Sequence, residues 1–273
     1  MTGATTHLEP LSTHAFVRAL GVPDLAPHTS PFDPGYDVQT VVSHLEQSHH
    51  LISRLKVSMA CWLIADEEAT RAKITAARRL RVPLVTGGGP FEIAQDRGQL
   101  EAFFELVASH GIDRIEAGEG FTRLRHGPAE IVRLAERFGL SVQMELGEKH
   151  GGAFTADVVQ ELVAAGKRWL DAGARQIVVE ARESAQQVGL FDDAGKLNFT
   201  AAEAFARAFG MEHTIFEAPN KKSQFDFLRH FGPEVNLSNV RLEELLRVEI
   251  YRRGLHSDAY GHMLARPARG ARA

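Results

Sequence analysis

Five times along this chain a short apolar run closes on a charged residue, and an amphipathic stretch follows it. The runs are Leu55-Lys56-Val57, Ile115-Glu116-Ala117, Met144-Glu145-Leu146, Val179-Glu180-Ala181 and Phe216-Glu217-Ala218. Roughly thirty to sixty positions separate one charged residue from the next, and a strand, its loop and a helix together take about thirty. One structural unit is therefore used repeatedly. Strands are expected near 51–57, 83–87, 113–117, 141–146, 176–181, 213–217 and 234–237, with a weaker one ahead of Asp33. A 3.6-residue apolar period predicts helices near 67–80, 97–110, 127–138, 155–172, 200–209, 221–230 and 241–252.

The punctuation agrees with the pattern. Thr155 and Thr200 stand where helix N-caps belong, and Gly111, Gly139, Gly173 and Gly210 stand just past helix ends, where a left-handed residue is favoured. The strands are short and almost wholly apolar, as parallel strands covered by helices are. No linker or shift in composition divides the chain, and its 273 residues suit one barrel of about 250. The expected fold is α/β, a single (β/α)8 TIM barrel over residues 31–262, with an N-terminal extension over 1–30 and a flexible basic tail over 263–273. A flavodoxin-like or Rossmann sheet is the weaker alternative.

Composition narrows the partners. Hydrophobic residues make up 44% and charged residues 24%, the mixture of an ordinary globular protein. A net charge of −4 gives no electrostatic reason to expect nucleic acid. Cys61 is the single cysteine, which excludes an intrachain disulfide and a cysteine-rich zinc site. No apolar run approaches the ~20 residues of a membrane span, and the amino-terminal stretch is too polar for a signal peptide. The expectation is a cytoplasmic protein with small-molecule partners, no nucleic acid and no membrane, and a homo-oligomer left open.

In such barrels the loops that follow the strands form the active face. This brings Lys56, Gly87, Gly88, Glu116, Glu145, Lys149, Glu180, Arg182, Ser184, Glu217, Lys221, Asn236 and Asn239 around one mouth. Gly87-Gly88-Gly89 would let backbone approach an anion, or is a plain tight turn. Asn236-Leu237-Ser238-Asn239 reads as a turn ahead of a helix, suited to a phosphate or to ordinary capping. Arg182 could grip a carboxylate or phosphate with Ser184 beside it, or pair with Glu180 or Glu183. Four carboxylates facing one cavity repel one another unless a cation joins them. Glu116, Glu145, Glu180 and Glu217 therefore read either as an oxygen-rich magnesium (Mg2+) site or as a ring of ion pairs closing the barrel top.

Several strings together resemble phosphosulfolactate synthase, the enzyme of coenzyme M biosynthesis that joins sulfite to phosphoenolpyruvate. They are Gly87-Gly88-Gly89-Pro90-Phe91-Glu92, Ile115-Glu116 through Gly120, Glu145-Leu146-Gly147-Glu148-Lys149, Glu180-Ala181-Arg182-Glu183-Ser184, Phe216-Glu217-Ala218-Pro219-Asn220-Lys221, Val235-Asn236-Leu237-Ser238-Asn239, and Glu249 through Asp258. In order, they span roughly residues 30–260. The resemblance implies a (β/α)8 barrel, magnesium dependence and phosphoenolpyruvate as substrate. It further implies Lys149 as general acid, Lys56 as a second catalytic residue, and Gly87, Gly88, Arg182, Ser184, Lys221, Asn236 and Asn239 as substrate-binding. The metal ligands would come from Glu116, Glu145, Glu180 and Glu217. The chain departs from the family pattern in its early loops, at Ser53-Arg54-Leu55-Lys56, at Gly89 and at Asp33-Pro34-Gly35, so the nucleophile is expected to be sulfite or a related one. Two other readings compete. One is a non-catalytic, stress-protective relative, and the other an aldolase forming a Schiff base at Lys56 or Lys149.

Overall fold

The computed structural model describes residues 12–148, 151–182 and 184–264. Eight parallel strands close into a barrel in chain order: β1 (Thr29–Asp33), β2 (Leu55–Val57), β3 (Leu84–Thr86), β4 (Arg114–Gly118), β5 (Ser141–Leu146), β6 (Ile177–Val179), β7 (Thr214–Glu217) and β8 (Asn236–Arg241). The helices are α1 (Thr13–Ala19), α2 (Val38–Ser48), α3 (Cys61–Ile64), α4 (Glu67–Arg79), α5 (Gly88–Asp96), α6 (Leu100–His110), α7 (Pro128–Arg137), α8 (Ala156–Asp171), α9 (Phe199–Phe209), α10 (Lys221–Phe231) and α11 (Leu245–Arg252). The fold is thus the (β/α)8 barrel that the repeated unit predicts. The first strand begins at Thr29, within the segment expected to be an extension, and residues 265–273 of the expected tail lie outside the described residues.

Local chemistry explains where the elements start and stop. The Asp37, Asp66, Thr155 and Asn220 side chains accept from backbone amides as N-caps of α2, α4, α8 and α10. In α4, Glu67 and Glu68 lie in the first turn and Arg78 and Arg79 in the last, each set matched to the helix dipole. The helix-ending Gly111, Gly139, Gly173 and Gly210 all have positive φ, as their positions require.

Some readings differ from the structure. The N-cap of α9 is Asn198, which accepts from Ala201 N, and Thr200 lies inside the helix. Residues 87–92 form no turn: Gly87 is the N-cap of α5 and Gly88 its first residue. Residues 236–239 form no turn either but lie inside β8, which pairs with both β7 and β1. The β1–β8 seam carries a register shift between Ser30 and Pro31, where the pairing skips Asn239, a positive-φ residue that bulges β8.

Most of the apolar core fills the layer between strands and helices, while polar side chains occupy the barrel axis. Buried aromatic residues pack behind the later strands: Phe216 stacks on Phe227 at a ring distance of 4.7 Å and on Phe231 at 5.3 Å. Along the axis, Lys56, Glu116, Gln143, Glu145, Glu217 and Arg114 are all buried. These side chains have to satisfy one another.

Candidate active site

Strands β2, β4, β5 and β7 bring Lys56, Glu116, Glu145 and Glu217 to one point at the C-terminal end of the barrel. Lys56 Nζ lies 2.7 Å from Glu116 Oε1, 3.6 Å from Glu217 Oε1 and 3.9 Å from Glu145 Oε2. It also donates to Asn239 Oδ1 at 3.2 Å, and Asn239 Nδ2 donates to Glu217 Oε1 at 2.6 Å. Burial alone would push the Lys56 ammonium down, but the charges of Glu116, Glu217 and Glu145 outweigh it and hold the group above its ordinary value. Burial pushes the Glu116 carboxyl up, against the pull of Lys56. The two directions conflict if each group is taken alone. They agree for the cluster, in which one ammonium faces three carboxylates: Lys56 stays charged, and the surplus negative charge draws in a proton or a cation.

Backbone and amide donors hold the carboxylates. Glu116 Oε1 accepts from Gly88 N at 3.0 Å, and Oε2 accepts from Gln143 Nε2 at 2.8 Å. Glu217 Oε2 accepts from Ala181 N at 2.9 Å, and Glu180 Oε1 accepts from Arg182 N at 2.6 Å. The glycine run therefore serves Glu116 through an amide at the start of α5, rather than lying open as a loose loop. Gly87 is needed there because a Cβ would stand 2.9 Å from the Met59 backbone nitrogen.

Above the cluster opens a cavity of about 440 Å³, within the ~300–1,000 Å³ range of small-molecule sites. Its lining includes Lys56, Gly87, Gly88, Glu116, Glu145, Glu180, Arg182, Glu217 and Asn239. Arg241 joins them on the same wall as Asn239, two residues further along β8. Met59, Ala60, Pro90 and Ile93 give the cavity an apolar wall. Met59 and Ile93 are about half exposed, as is Phe121.

Other expected residues lie elsewhere. Asn236 is at the start of β8, and three residues at ~3.3 Å each place it about 10 Å below Asn239, on the barrel floor. Its Nδ2 donates to the carbonyls of Met211 and Thr214, and its Oδ1 accepts from His28 Nδ1. Lys221 is an exposed residue at the start of α10, 3.8 Å from Asp258, and Ser184 donates to the Gln186 carbonyl. Neither lines the cavity. Lys149 lies outside the described residues. Glu92 is fully buried and accepts from Phe121 N, Thr122 N and Thr122 Oγ1, fastening the loop after β4. Asp33 is 2.7 Å from Lys73 in a separate cavity of about 290 Å³ against β2 and α4, outside the mouth.

Sequence reading missed Arg241, Gln143 and the apolar wall. Arg241 gave no signal, since 236–239 reads as a turn and the positive φ of Asn239 breaks the alternation along β8. Gln143 had no signal, because only the barrel interior makes a glutamine the partner of Glu116.

Magnesium takes oxygen ligands, commonly one or two protein carboxylates plus substrate oxygens. Among the described residues no group of three or more His, Cys, Asp or Glu is arranged to hold a metal ion. The reason is visible in the cluster: Lys56 stands among Glu116, Glu145 and Glu217, and Glu116 and Glu217 are engaged by protein donors. Glu145 and Glu180 line the cavity as well, Glu145 within 3.9 Å of Lys56 and Glu180 accepting from Arg182 N.

Comparison with known proteins adds the family. The model of the (2R)-phospho-3-sulfolactate synthase (ComA) family matches residues 26–258. Phosphosulfolactate synthase of Methanocaldococcus jannaschii is 27% identical over 234 residues, covering 85% of this chain and 93% of that protein. Its namesake from Bacillus subtilis is 25% identical over 231 residues, covering 84% and 90%. In fold the chain is similar to KGPDC from Streptococcus mutans, with a TM-score of 0.51 at 13% identity over 88% of this chain and 95% of that one. At that identity the likeness concerns the barrel alone.

Proposed function

The chain belongs to the (2R)-phospho-3-sulfolactate synthase family, and from that membership we propose that it is a carbon–sulfur bond-forming lyase adding sulfite, or a related sulfur nucleophile, to the methylene carbon of phosphoenolpyruvate. The observation that carries the reading is the buried Lys56–carboxylate cluster under a cavity that has Arg182 and Arg241 on its wall. Arginine suits the phosphate and carboxylate of such a substrate through paired N–H donors.

In the reaction the sulfur lone pair forms the bond to the methylene carbon, and the enol π electrons move towards the neighbouring carbon and its carboxylate. A proton then goes to that neighbouring carbon. Lys149 is the donor that the resemblance implies. Magnesium, for which the resemblance draws ligands from Glu116, Glu145, Glu180 and Glu217, would supply positive charge where carboxylate charge builds. Arg182, Arg241 and Asn239 hold and orient the substrate, and Lys56 keeps three carboxylates in place. An ammonium held charged by its surroundings is a poor amine nucleophile, which disfavours Schiff-base chemistry at Lys56. The apolar wall of Met59, Pro90 and Ile93 offers no charge to a dianion, so a nucleophile other than sulfite is the second reading.

The test is incubation with phosphoenolpyruvate, sulfite and magnesium, followed by mass spectrometry. The expected product is phosphosulfolactate, lost in the Lys149→Ala variant and in the presence of EDTA. Magnesium-dependent binding of phosphoenolpyruvate without this product would move the assignment to another nucleophile. Absence of both binding and product would overturn the lyase reading in favour of a non-catalytic role.

A further inference from the structure

The barrel floor carries a second polar cluster, which the mouth chemistry leaves unused. Arg114, the first residue of β4, is 9% exposed. Its Nε donates to Ser141 Oγ at 3.1 Å, and its Nη1 donates to Gln143 Oε1 at 3.3 Å and Gln176 Oε1 at 2.7 Å. All three acceptors are neutral, and among the described residues no carboxylate forms an ion pair with Arg114. The acid of this floor is Asp113, whose Oδ2 lies 3.8 Å from Arg54 Nη1 and accepts from Leu84 N. Its side chain is 55% exposed, so it compensates little of the buried charge.

Two more guanidinium groups, Arg54 and Arg175, stand close enough to repel Arg114. Burial first, then Arg54 and Arg175, push Arg114 down to about 9, with Asp113 opposing. Burial likewise pushes Arg54 down, again opposed by Asp113. Since guanidinium groups keep their protons at neutral pH, Arg114 holds a positive charge largely away from water, with Arg54 half-buried beside it and Arg175 exposed. A buried charge of this kind needs a counter-charge.

Beside Arg54 is a cavity of about 80 Å³, lined also by Ser53, His28, Gln143, Gln176 and Asn236. At ~30 Å³ per water molecule it has room for two or three waters, or for one tetrahedral anion in their place. The Gln143 and Gln176 oxygens are engaged by Arg114, and the Asn236 amide by backbone carbonyls. Arg54 spends Nη1 on the Leu84 carbonyl and keeps the other N–H groups of its fork. Ser30 Oγ donates to the Arg54 carbonyl and His28 Nδ1 to Asn236 Oδ1, so Arg54 and Ser53 are the donors that face the cavity alongside His28 Nε2.

We propose that this floor cavity binds a small inorganic tetrahedral oxyanion, phosphate or sulfate, held by Arg54 and Ser53 with the charge of Arg114 behind them. The site is independent of the mouth and of the reaction assigned to it. It is nevertheless wired to it, because Gln143 donates to Glu116 while accepting from Arg114.

The experiment uses the full chain in chloride buffer, titrated at constant ionic strength with sodium sulfate and, in parallel, sodium phosphate, with thermal unfolding as readout. The Arg182→Ala background removes an anion-binding group at the mouth. In it, a saturable rise in Tm of several degrees is expected, and Arg54→Gln on top should abolish the rise. Equal stabilisation by sodium chloride, or no saturable rise in the Arg182→Ala protein, would overturn the proposal. A rise with one anion alone upholds the site and names its occupant. Should Arg54→Gln fail to fold, crystals of the unaltered chain soaked in sodium selenate decide the matter. An anomalous peak within hydrogen-bond distance of Arg54 and Ser53 supports the site, and a floor without one overturns it.

Discussion

Without its ammonium, Lys56 would leave Glu116, Glu145 and Glu217 sharing one buried volume with no lysine between them. Breaking a buried ion pair from one side costs about 3–5 kcal/mol. Lys56→Met is therefore expected to destabilise the protein by about that amount in urea unfolding, where the midpoint should fall with the slope unchanged. Adding Glu116→Gln should recover ~0.5–3 kcal/mol, the usual coupling between groups in contact. Strict additivity of the two changes would mean that the 2.7 Å pair carries no energy of its own. Gln143 offers a second test at this scale, because its amide satisfies Glu116 on one side and Arg114 on the other. Gln143→Leu, close in size but without polar atoms, should cost ~1–3 kcal/mol for each buried group left unmet. It should also lower kcat more than it raises KM, since Glu116 would lose the amide that orients it within the Lys56 cluster. An unchanged kcat would show that Glu116 keeps its orientation without the amide.

At the scale of elements, α5 and β8 teach most. The Gly87-Gly88-Gly89 run looks like a turn, but a helix begins there because Gly87 supplies the one residue small enough to pass the Met59 backbone. Gly87→Ala and Gly89→Ala should consequently behave in opposite ways. The first forces a Cβ to within 2.9 Å of Met59 N, which cannot move without displacing the chain after β2. The second meets nothing nearer than Phe121 at 3.9 Å and gains up to ~1 kcal/mol of helix propensity. Expected outcomes are a lower Tm and weaker phosphoenolpyruvate binding for Gly87→Ala, and a Tm at or above that of the parent for Gly89→Ala. In β8, Asn236-Leu237-Ser238-Asn239 has a turn-like composition yet forms strand, because β7 and β1 supply the hydrogen bonds on both sides. That pairing sends Asn236 to the floor and Asn239 to the mouth, so two asparagines in one motif serve opposite ends of the barrel.

For the molecule as a whole, closure between the first and last strands is the step on which everything else depends. Arg252, fully buried in α11, reaches across this seam. It donates to Thr29 Oγ1 at 3.0 Å in β1, to the carbonyls of Pro233 and Val235 ahead of β8, and to Glu249 at 3.1 Å. Thr29 in turn donates to Glu249 Oε1 at 2.5 Å. Arg252→Met should cost about 3–5 kcal/mol, a fall in Tm of roughly 6–20 °C at ~2–4 °C per kcal/mol. Hydrogen exchange should speed up first in β1 and β8, and uniform acceleration over all strands would argue against a local seam. No helix among the described residues is long and apolar enough to cross a membrane.

The repeated apolar run and its charged end determined the barrel, because a strand–loop–helix unit of fixed length leaves a periodic trace in the order of residues alone. The same trace placed Lys56, Glu116, Glu145, Glu180 and Glu217 at strand ends, where their side chains line the mouth. Which polar residue faces its axis, and at which height, was decided only by closure. Strands buried on both sides carry no alternation to mark one face, and hydrogen-bonded partners such as Thr29 and Glu249 stand 220 residues apart. Gln143, Arg114 and Arg241 acquire their roles from neighbours on other strands, so their chemistry exists only once register and closure have set those neighbours beside them.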